Sequence, residues 1–471
     1  MTTQIFRISV RRVLATAAVG SALLTLGCGN VKDDLLAAED PDIIPPSALN
    51  TPEAADALRI GAIARLRNMT AGAGAGDSPW MFTGLLTDEW KSGDTFFQTD
   101  ETDRRTIPTN NSQVSGQYSN AQVARGHAMT AIASLKEFSP EKVANIAQMY
   151  FALGFIEMNI SEFFCNGTPF GYTDKGQPVY TAPLTNKEGY TLALARIDSG
   201  LALVANVAAS DAFGTSIKNS LLVAKARTLV DLGQHAQAAA LVTAIPTSFA
   251  WNLTFSTTAG DNGPYAMNGV GASSRYVVSD SFDFFNGQLN IVKNALPFAS
   301  AKDPRLPVTG SSTATQKAID AYTPFVGTVV WSDRSAPVPL VTGIDARLIE
   351  AEAKLKAGDI AGMMTIMNAL RTAPQKLGKL DVAAMAALPV PTSQDAAVSL
   401  YFREKAFWTF GRGQRLGDLR RLIRQYGRTQ DQVFPVGNYY KSGVYGADVN
   451  LPVTDNEITN PNFHGCLDRS A

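Results

Sequence analysis

The chain has 471 residues, 45% of them hydrophobic and 18% charged, with 41 basic residues against 42 acidic ones and a net charge of −1. That is a globular composition with no excess of either sign, so bulk electrostatics point to neither nucleic acid nor an anionic membrane surface. The length allows one large domain or two or three smaller ones.

Residues 1–27 read as an export signal. Arg7, Arg11 and Arg12 form a basic start, and Val13 to Leu26 is an apolar run too short to span a bilayer. The run ends in Thr25-Leu26-Gly27-Cys28, where a small residue before the cysteine resembles a lipobox. This predicts that Cys28 is acylated and becomes the mature N-terminus, the alternative being an ordinary signal peptide cut elsewhere. Lys32-Asp33-Asp34 is similar to the short acidic signal that sends some lipoproteins to the cell surface. Residues 28–52 are polar and marked by Pro41, Pro45, Pro46 and Pro52, as expected of a tether. An exported, lipid-anchored protein has little access to nucleic acid.

Thr51-Pro52-Glu53 opens a helix, with a capping residue, proline at the first position and an acid in the first turn. It runs to about Met69 and buries Leu58, Ile63 and Leu66. A glycine-rich loop follows, then a segment dense in rings and carboxylates: Trp80, Asp88, Glu89, Trp90, Asp94, Phe96 and Phe97. Helical periodicity resumes over 117–138 and 141–164. In Ile217 to Pro246, the small residues Ala226, Gly233 and Ala238, with Val242, fit a tetratricopeptide-like helix pair. Small side chains let two antiparallel helices approach, and glycine makes the turn. Arg347 to Arg371 repeats the pattern with Ala351, Gly358, Met363 and Met367.

Trp251 to Leu340 is rich in Gly, Ser, Pro and aromatics, with short strand-like pieces at 276–278 and 328–331. Two further helices are expected near 394–408 and 415–425, broken by Gly411 and Gly413. Around this break lie Arg403, Arg412, Arg415 and Arg420, with Glu404 and Asp418 as available partners. Guanidinium forks suit buried bidentate pairing, so this corner is expected to be structural.

Several of these segments together resemble the SusD/RagB family. The corner reads R-E-x-x-F…G…R-x-x-D-L-R-R from Arg403 to Arg421. Asn166-Gly167-Thr168-Pro169 fills the place of the family's F-G-x-x-P turn, and Asp303-Pro304-Arg305 matches a D-P-R element. The chain closes with Leu451-Pro452-Val453, Glu457-Ile458 and Asn460-Pro461-Asn462, as the family often does. The resemblance implies a mainly α fold, with tetratricopeptide-like helix pairs in a superhelix and a loop-rich, partly irregular C-terminal portion. The division expected is a helical part at 53–260 and a loop-rich part at 261–471, which includes the helix pairs 344–371 and 394–425, packed as one unit. It also implies a non-catalytic outer-membrane lipoprotein. Such a protein holds a glycan or other nutrient for a TonB-dependent (SusC-like) transporter, its only membrane attachment being the N-terminal lipid.

Sugars stack on aromatic rings while polar side chains take their hydroxyls. The candidates for stacking are Trp80, Trp90, Phe96, Phe97, Tyr265, Tyr276, Phe284 and Phe285, with Trp90 favoured and Asp88, Glu89, Lys91 and Asp94 beside it. Each ring has the alternative of being an ordinary core aromatic. Two other functions compete. A surface glycosidase would need a carboxylate pair, for which Asp88, Glu89, Glu101 and Asp103 are available. A protein-interaction scaffold would use the helix-pair groove. The three histidines, His127, His235 and His464, lie far apart with no metal spacing, and no cofactor motif is present. Once Cys28 carries lipid, Cys165 and Cys466 remain as an even pair in an oxidising compartment, so a disulfide is expected between them, the alternative being two unrelated thiols.

Overall fold

Helices dominate the computed structural model, which describes residues 50–471 apart from residues 75, 175, 259, 269–273, 286, 312 and 314. The export signal, Cys28 and the tether as far as residue 49 lie outside the described residues. The chain divides after Ala55 into a short leading unit and the unit Asp56–Ala471. The helices of the larger unit are α1 (Pro52–Met69, from Asp56 on), α2 (Pro79–Leu85), α3 (Phe97–Asp103), α4 (Ser112–Phe138), α5 (Val143–Phe163), α6 (Asn186–Leu203) and α7 (Ala212–Asp231). They continue with α8 (His235–Val242), α9 (Gly263–Asn268), α10 (Gly343–Lys356), α11 (Ile360–Thr372), α12 (Gln394–Trp408) and α13 (Arg415–Tyr426). None of the described helices is long and apolar enough to cross a membrane.

Local chemistry sets the helix ends. Thr185 caps α6 and Thr342 caps α10 in reciprocal boxes with Glu188 and Asp345. Asp211 and Asp359 cap α7 and α11 with their carboxylates. α5 is apolar nearly all round, and almost every residue from Ile146 to Phe163 is buried, so it is the central helix. α4 and α6 pack on either side of it, and α7, α8, α10 and α11 follow in series. In α1, Ala62, Leu66 and Met69 are fully covered, while Leu58 and Ile63 stay partly exposed.

The two tetratricopeptide-like units form as the sequence implies. Gly233 and Gly358 end α7 and α10 with φ of 77° and 76°. At both turns the next residue's N–H reaches back to the carbonyl five residues earlier, Gln234 to Leu229 and Asp359 to Lys354, a Schellman closure that needs the left-handed glycine. Ala226, Ala238 and Ala351 are fully buried at the approaches. The two units, remote in sequence, meet in space where α8 packs on α10. Arg347 of α10 donates to the Val242 carbonyl at 2.8 Å, satisfying the end of α8.

Strands occur among the described residues as two-stranded antiparallel ribbons only. From 250 to 340 the chain is loops, such ribbons and the six-residue α9. The fold is therefore mainly α with an irregular portion laid on it.

The corner between α12 and α13 joins these parts. Arg415 forms a two-pronged pair with Asp88, at 2.6 and 2.8 Å. Arg412 holds Asp345 at 2.7 Å and the Pro339 carbonyl at 2.9 Å. Arg420 donates to the Glu162 carbonyl at 2.5 Å and to Asn186 Oδ1 at 3.0 Å, closing the gap between α5 and α6. Glu404 is buried and receives Arg305 of the Asp-Pro-Arg element at 2.8 Å and Arg371 at 2.7 Å. Two expectations need correction. Arg403 is not buried: its side chain is 37% exposed, pairs with its neighbour Glu404 and lies over the Phe407 ring. Asp418 makes no ion pair with Arg412 or Arg415; it pairs with Lys405 of α12 at 2.6 Å and, one turn along α13, with Arg421 at 2.5 Å. Arg421, which also pairs with Glu352, belongs to the corner and was not among the expected members.

Cys165 and Cys466 are joined by a disulfide across 301 residues, with Cα atoms 5.9 Å apart. The tail is already docked there, since Leu451 exchanges backbone bonds with Phe163 and Cys165, and Leu467 donates to the Asn166 carbonyl.

Both fastenings can be tested by substitution. Arg415→Ala strands Asp88 in the interior and should cost about 3–5 kcal/mol in chemical denaturation; a cost below ~1 kcal/mol would mean the pair is idle. Cys466→Ser should lower the melting temperature and make residues beyond 460 protease-sensitive, with a chain-entropy limit of roughly 5 kcal/mol; identical melting of variant and parent would count against a structural bond.

Candidate functional site

The segment after α2 decides which rings face solvent. Asp88 is held by Arg415, and Glu89 accepts the Gly411 N–H at 2.9 Å. These two anchors draw the next residues inward, and Trp90–Ser92 pairs with Tyr276–Val278 as a buried ribbon. Trp90 is 1% exposed and packed against Phe410, Trp331 and Tyr276, with ring centres 4.8, 6.2 and 6.1 Å away. Trp80 is fully buried, its indole N–H on Asn159 at 2.9 Å. Tyr276 is fully buried as well, its hydroxyl on Asp77 at 2.8 Å. The expectation that Trp90, Trp80 and Tyr276 offer stacking faces is therefore corrected: all three are core residues. Tyr265 is half-buried on α9, and the side chain of Phe285 lies outside the described residues.

The open rings come immediately afterwards. Phe96 and Phe97, at the start of α3, are 47% and 64% exposed. The Arg275 guanidinium pairs with Asp94 and lies over Phe96, 5.2 Å from the ring centre. Lys441 then clamps three places with one ammonium: the Asp94 carbonyl at 3.0 Å, Asp100 at 2.6 Å and Asp320 at 3.1 Å. Two residues past Asp320 stands Tyr322, 49% exposed, its hydroxyl on the Tyr440 carbonyl at 3.1 Å. Asp320 shapes this turn by accepting the N–H groups of Tyr322 and Thr323.

Beside Tyr322 is a cavity of about 180 Å³ lined by Lys91, Asp283, Phe284, Lys317, Tyr322 and Tyr440 among others. Phe284 is thus the one remaining candidate ring that contributes to an enclosed space. Of the four polar residues expected beside Trp90, only Lys91 faces this cavity; Asp88, Glu89 and Asp94 are committed to Arg415, Gly411 and Arg275. Tyr322, Lys317, Tyr440, Lys441, Asp320 and Arg275 were not among the candidates. The Asp-Ala-Tyr-Thr turn signal at 320–323 was the only local hint.

The carboxylates proposed for catalysis do not form an open pair. Burial pushes Glu89 up to about 8 against the opposing Gly411 hydrogen bond. Burial likewise pushes Asp103 up to about 7, although Ser92 N–H and the Tyr439 and Tyr440 hydroxyls bond to it. Glu101 is half-buried and takes the amide of Asn111 at 2.9 Å. Asp88 is fixed in an ion pair, so no two of the four flank a common space with a free acid and a free base. Among the described residues, no group of three His, Cys, Asp or Glu side chains could hold a metal.

A second concavity is wider, about 1350 Å³, between the strand at 250–253, helices α10 and α11 and the hairpin at 375–382. Arg347, Glu350, Lys376 and Asp381 line it, with Phe249 as its one ring.

No family model and no curated protein matches this sequence. Solved structures do. A SusD-like protein from Bacteroides fragilis superposes with a TM-score of 0.62 at 12% identity, covering 90% of this chain and 98% of its own. A SusD-like carbohydrate binding protein from the same species gives 0.62 at 12%, covering 88% and 99%. Another so described, from Bacteroides vulgatus, gives 0.59 at 13%, covering 88% and 98%. At such identities the likeness is one of fold, and this chain has the SusD-like fold over nearly the full length of those proteins.

The raised Glu89 carries a pH signature. Its folded value of about 8 exceeds the ordinary 4.5, so the folded state keeps a proton that the unfolded chain releases. Its contribution is present in full below pH 4.5 and is lost as pH rises through 8. Glu89→Gln cannot ionise, so its melting temperature should gain on the parent between pH 5 and pH 8, by the equivalent of roughly 1 kcal/mol or more. A parent–variant gap that does not change with pH would refute the assignment.

Proposed function

We propose that this chain is a SusD/RagB-type lipoprotein that binds a carbohydrate, without cleaving it, and delivers it to a TonB-dependent transporter. The observation that carries the binding reading is the set of open rings Phe96, Phe97 and Tyr322, on segments that Lys441 ties together. Exposed aromatics beside a small polar cavity are what stacking of sugar C–H faces requires. The SusD-like fold supports the class, since solved proteins of that fold are described as carbohydrate binding. The absence of an open acid and base among the candidate carboxylates favours capture over hydrolysis.

Anchoring at Cys28 and the outer-membrane location rest on the lipobox and the family resemblance. A wide groove favours a second role alongside the first. Its size and its mixed charge suit a protein surface better than a single sugar, and the transporter is the partner the family resemblance supplies.

Titration of a panel of oligosaccharides into the mature protein tests the reading. Tyr322→Ala and Phe97→Ala should each weaken binding about tenfold or more with little change in melting temperature, and no shortened sugar should be released. Trp90→Ala should instead destabilise by about 3–5 kcal/mol, as for other buried aromatic truncations. Binding unaffected by Tyr322→Ala and Phe97→Ala, or a hydrolysed product, would overturn it.

A further inference from the structure

The cavity beside Tyr322 contains two polar groups whose hydrogen-bonding capacity the described residues leave partly unused. Lys91 is 6% exposed, and its ammonium lies 4.8 Å from the centre of the Tyr440 ring. It makes no hydrogen bond or ion pair with any described residue, unlike the neighbouring Lys441 with its three partners. Asp283 is 3% exposed; its Oδ1 accepts from Asn290 at 2.7 Å, while its Oδ2 is buried with no partner. Both residues line the same space, where the Lys91 ammonium and the Asp283 carboxylate attract each other without a hydrogen bond between them. A buried carboxylate oxygen without a hydrogen bond is costly, and an ammonium held only over a ring face keeps its N–H donors unused. A ligand that supplied the missing hydrogen bonds would offset that cost.

Charge narrows the chemistry. Four carboxylates, those of Asp283, Asp103, Asp280 and Asp320, act on the Lys91 ammonium. An anionic ligand group at Lys91 would face Asp283 across the cavity, and a cationic one would face Lys91 and Lys317. The group that fits is neutral and both accepts and donates on adjacent atoms, as vicinal sugar hydroxyls do. Size narrows it further. A cavity of about 150 Å³ is known to hold one benzene ring, and this one measures about 180 Å³. It takes a single six-membered ring, with Phe284, Tyr322 and Tyr440 in its wall.

We propose that Lys91 and Asp283 form a terminal subsite that grips one neutral sugar unit at the end of a glycan, Lys91 donating to one hydroxyl oxygen and Asp283 Oδ2 accepting from its neighbour. The remainder of the chain lies outside, over Tyr322. This rests on the carbohydrate reading above and adds a direction to it: the glycan enters end-first, and acidic ends are refused.

An array of neutral, uronic-acid-terminated and sulfated glycans is bound to the mature protein first. The neutral glycan that binds best is then titrated into parent, Lys91→Met, Asp283→Asn and Tyr322→Ala proteins. Lys91→Met and Asp283→Asn should each weaken binding at least tenfold, while both variants keep a cooperative melting transition. Array hits should be neutral at the chain end. If Tyr322→Ala abolishes binding but Lys91→Met and Asp283→Asn bind like the parent, Lys91 is satisfied by structural water and the subsite is overturned, while the carbohydrate reading stands. Preferential binding of acid-terminated glycans also overturns the subsite alone. Absence of any glycan binding overturns both.

Discussion

Burying an arginine is expensive unless carboxylates and carbonyls meet it in good geometry, and this fold buries several at one corner. Arg305, Arg412, Arg415, Arg420 and Arg421 are each at most 4% exposed. Their partners come from everywhere else: Asp88 before the first ribbon, Glu162 at the end of α5, Asp345 and Glu352 on α10, Glu404 on α12. Buried ion networks add little net stability compared with an apolar core of the same shape, but an incomplete one is costly. The corner therefore acts as a test of assembly. Only the arrangement that brings all the segments together leaves no guanidinium stranded.

The same network shapes the proposed binding surface at a distance. By fixing Asp88 and, through Gly411, Glu89, it commits the following ribbon to the interior. The alternation along that ribbon then places Trp90 in an aromatic core and Lys91 at the cavity. The chain must resurface within a few residues, and it does so through Asp94 to Asp100, carrying Phe96 and Phe97 outward under the hold of Arg275 and Lys441. The surface rings are thus positioned by ion pairs; Arg275 covers one face of Phe96, while Phe97 stays 64% exposed.

What the sequence revealed and what it hid divide along a physical line. Features fixed by local chemistry were legible: the helix pairs through Ala226, Gly233, Ala351 and Gly358, the broken helix at Gly411, the helix cap pattern. The partner of each corner arginine was not, since Asp88 and Arg415 are separated by 327 residues and no spacing rule connects them. Ring exposure was equally hidden. Trp90 and Phe97 stand seven residues apart in the same polar, aromatic-rich stretch, yet one is 1% and the other 64% exposed. Composition marks both as candidates; only the tertiary fate of Asp88 separates them. Tyr322 went unseen because a lone tyrosine after an Asp turn has no signature of openness.

The corner and the cavity use buried charge in opposite ways. At the corner Arg415 has both prongs on one carboxylate, and Lys405 and Arg421 share Asp418, so electrostatics is spent on holding the fold. At the cavity the Lys91 ammonium sits over the Tyr440 ring, and one oxygen of Asp283 is buried without a partner. A protein under selection for stability alone would exchange that lysine for an apolar residue. Retaining it makes sense where a ligand completes the site from outside. A pocket the size of one ring with an open rim also limits affinity, because only that unit is desolvated on most sides while the rest of the chain stays hydrated. Such a site would favour exchange over permanent capture, which agrees with the proposed role of passing a ligand on.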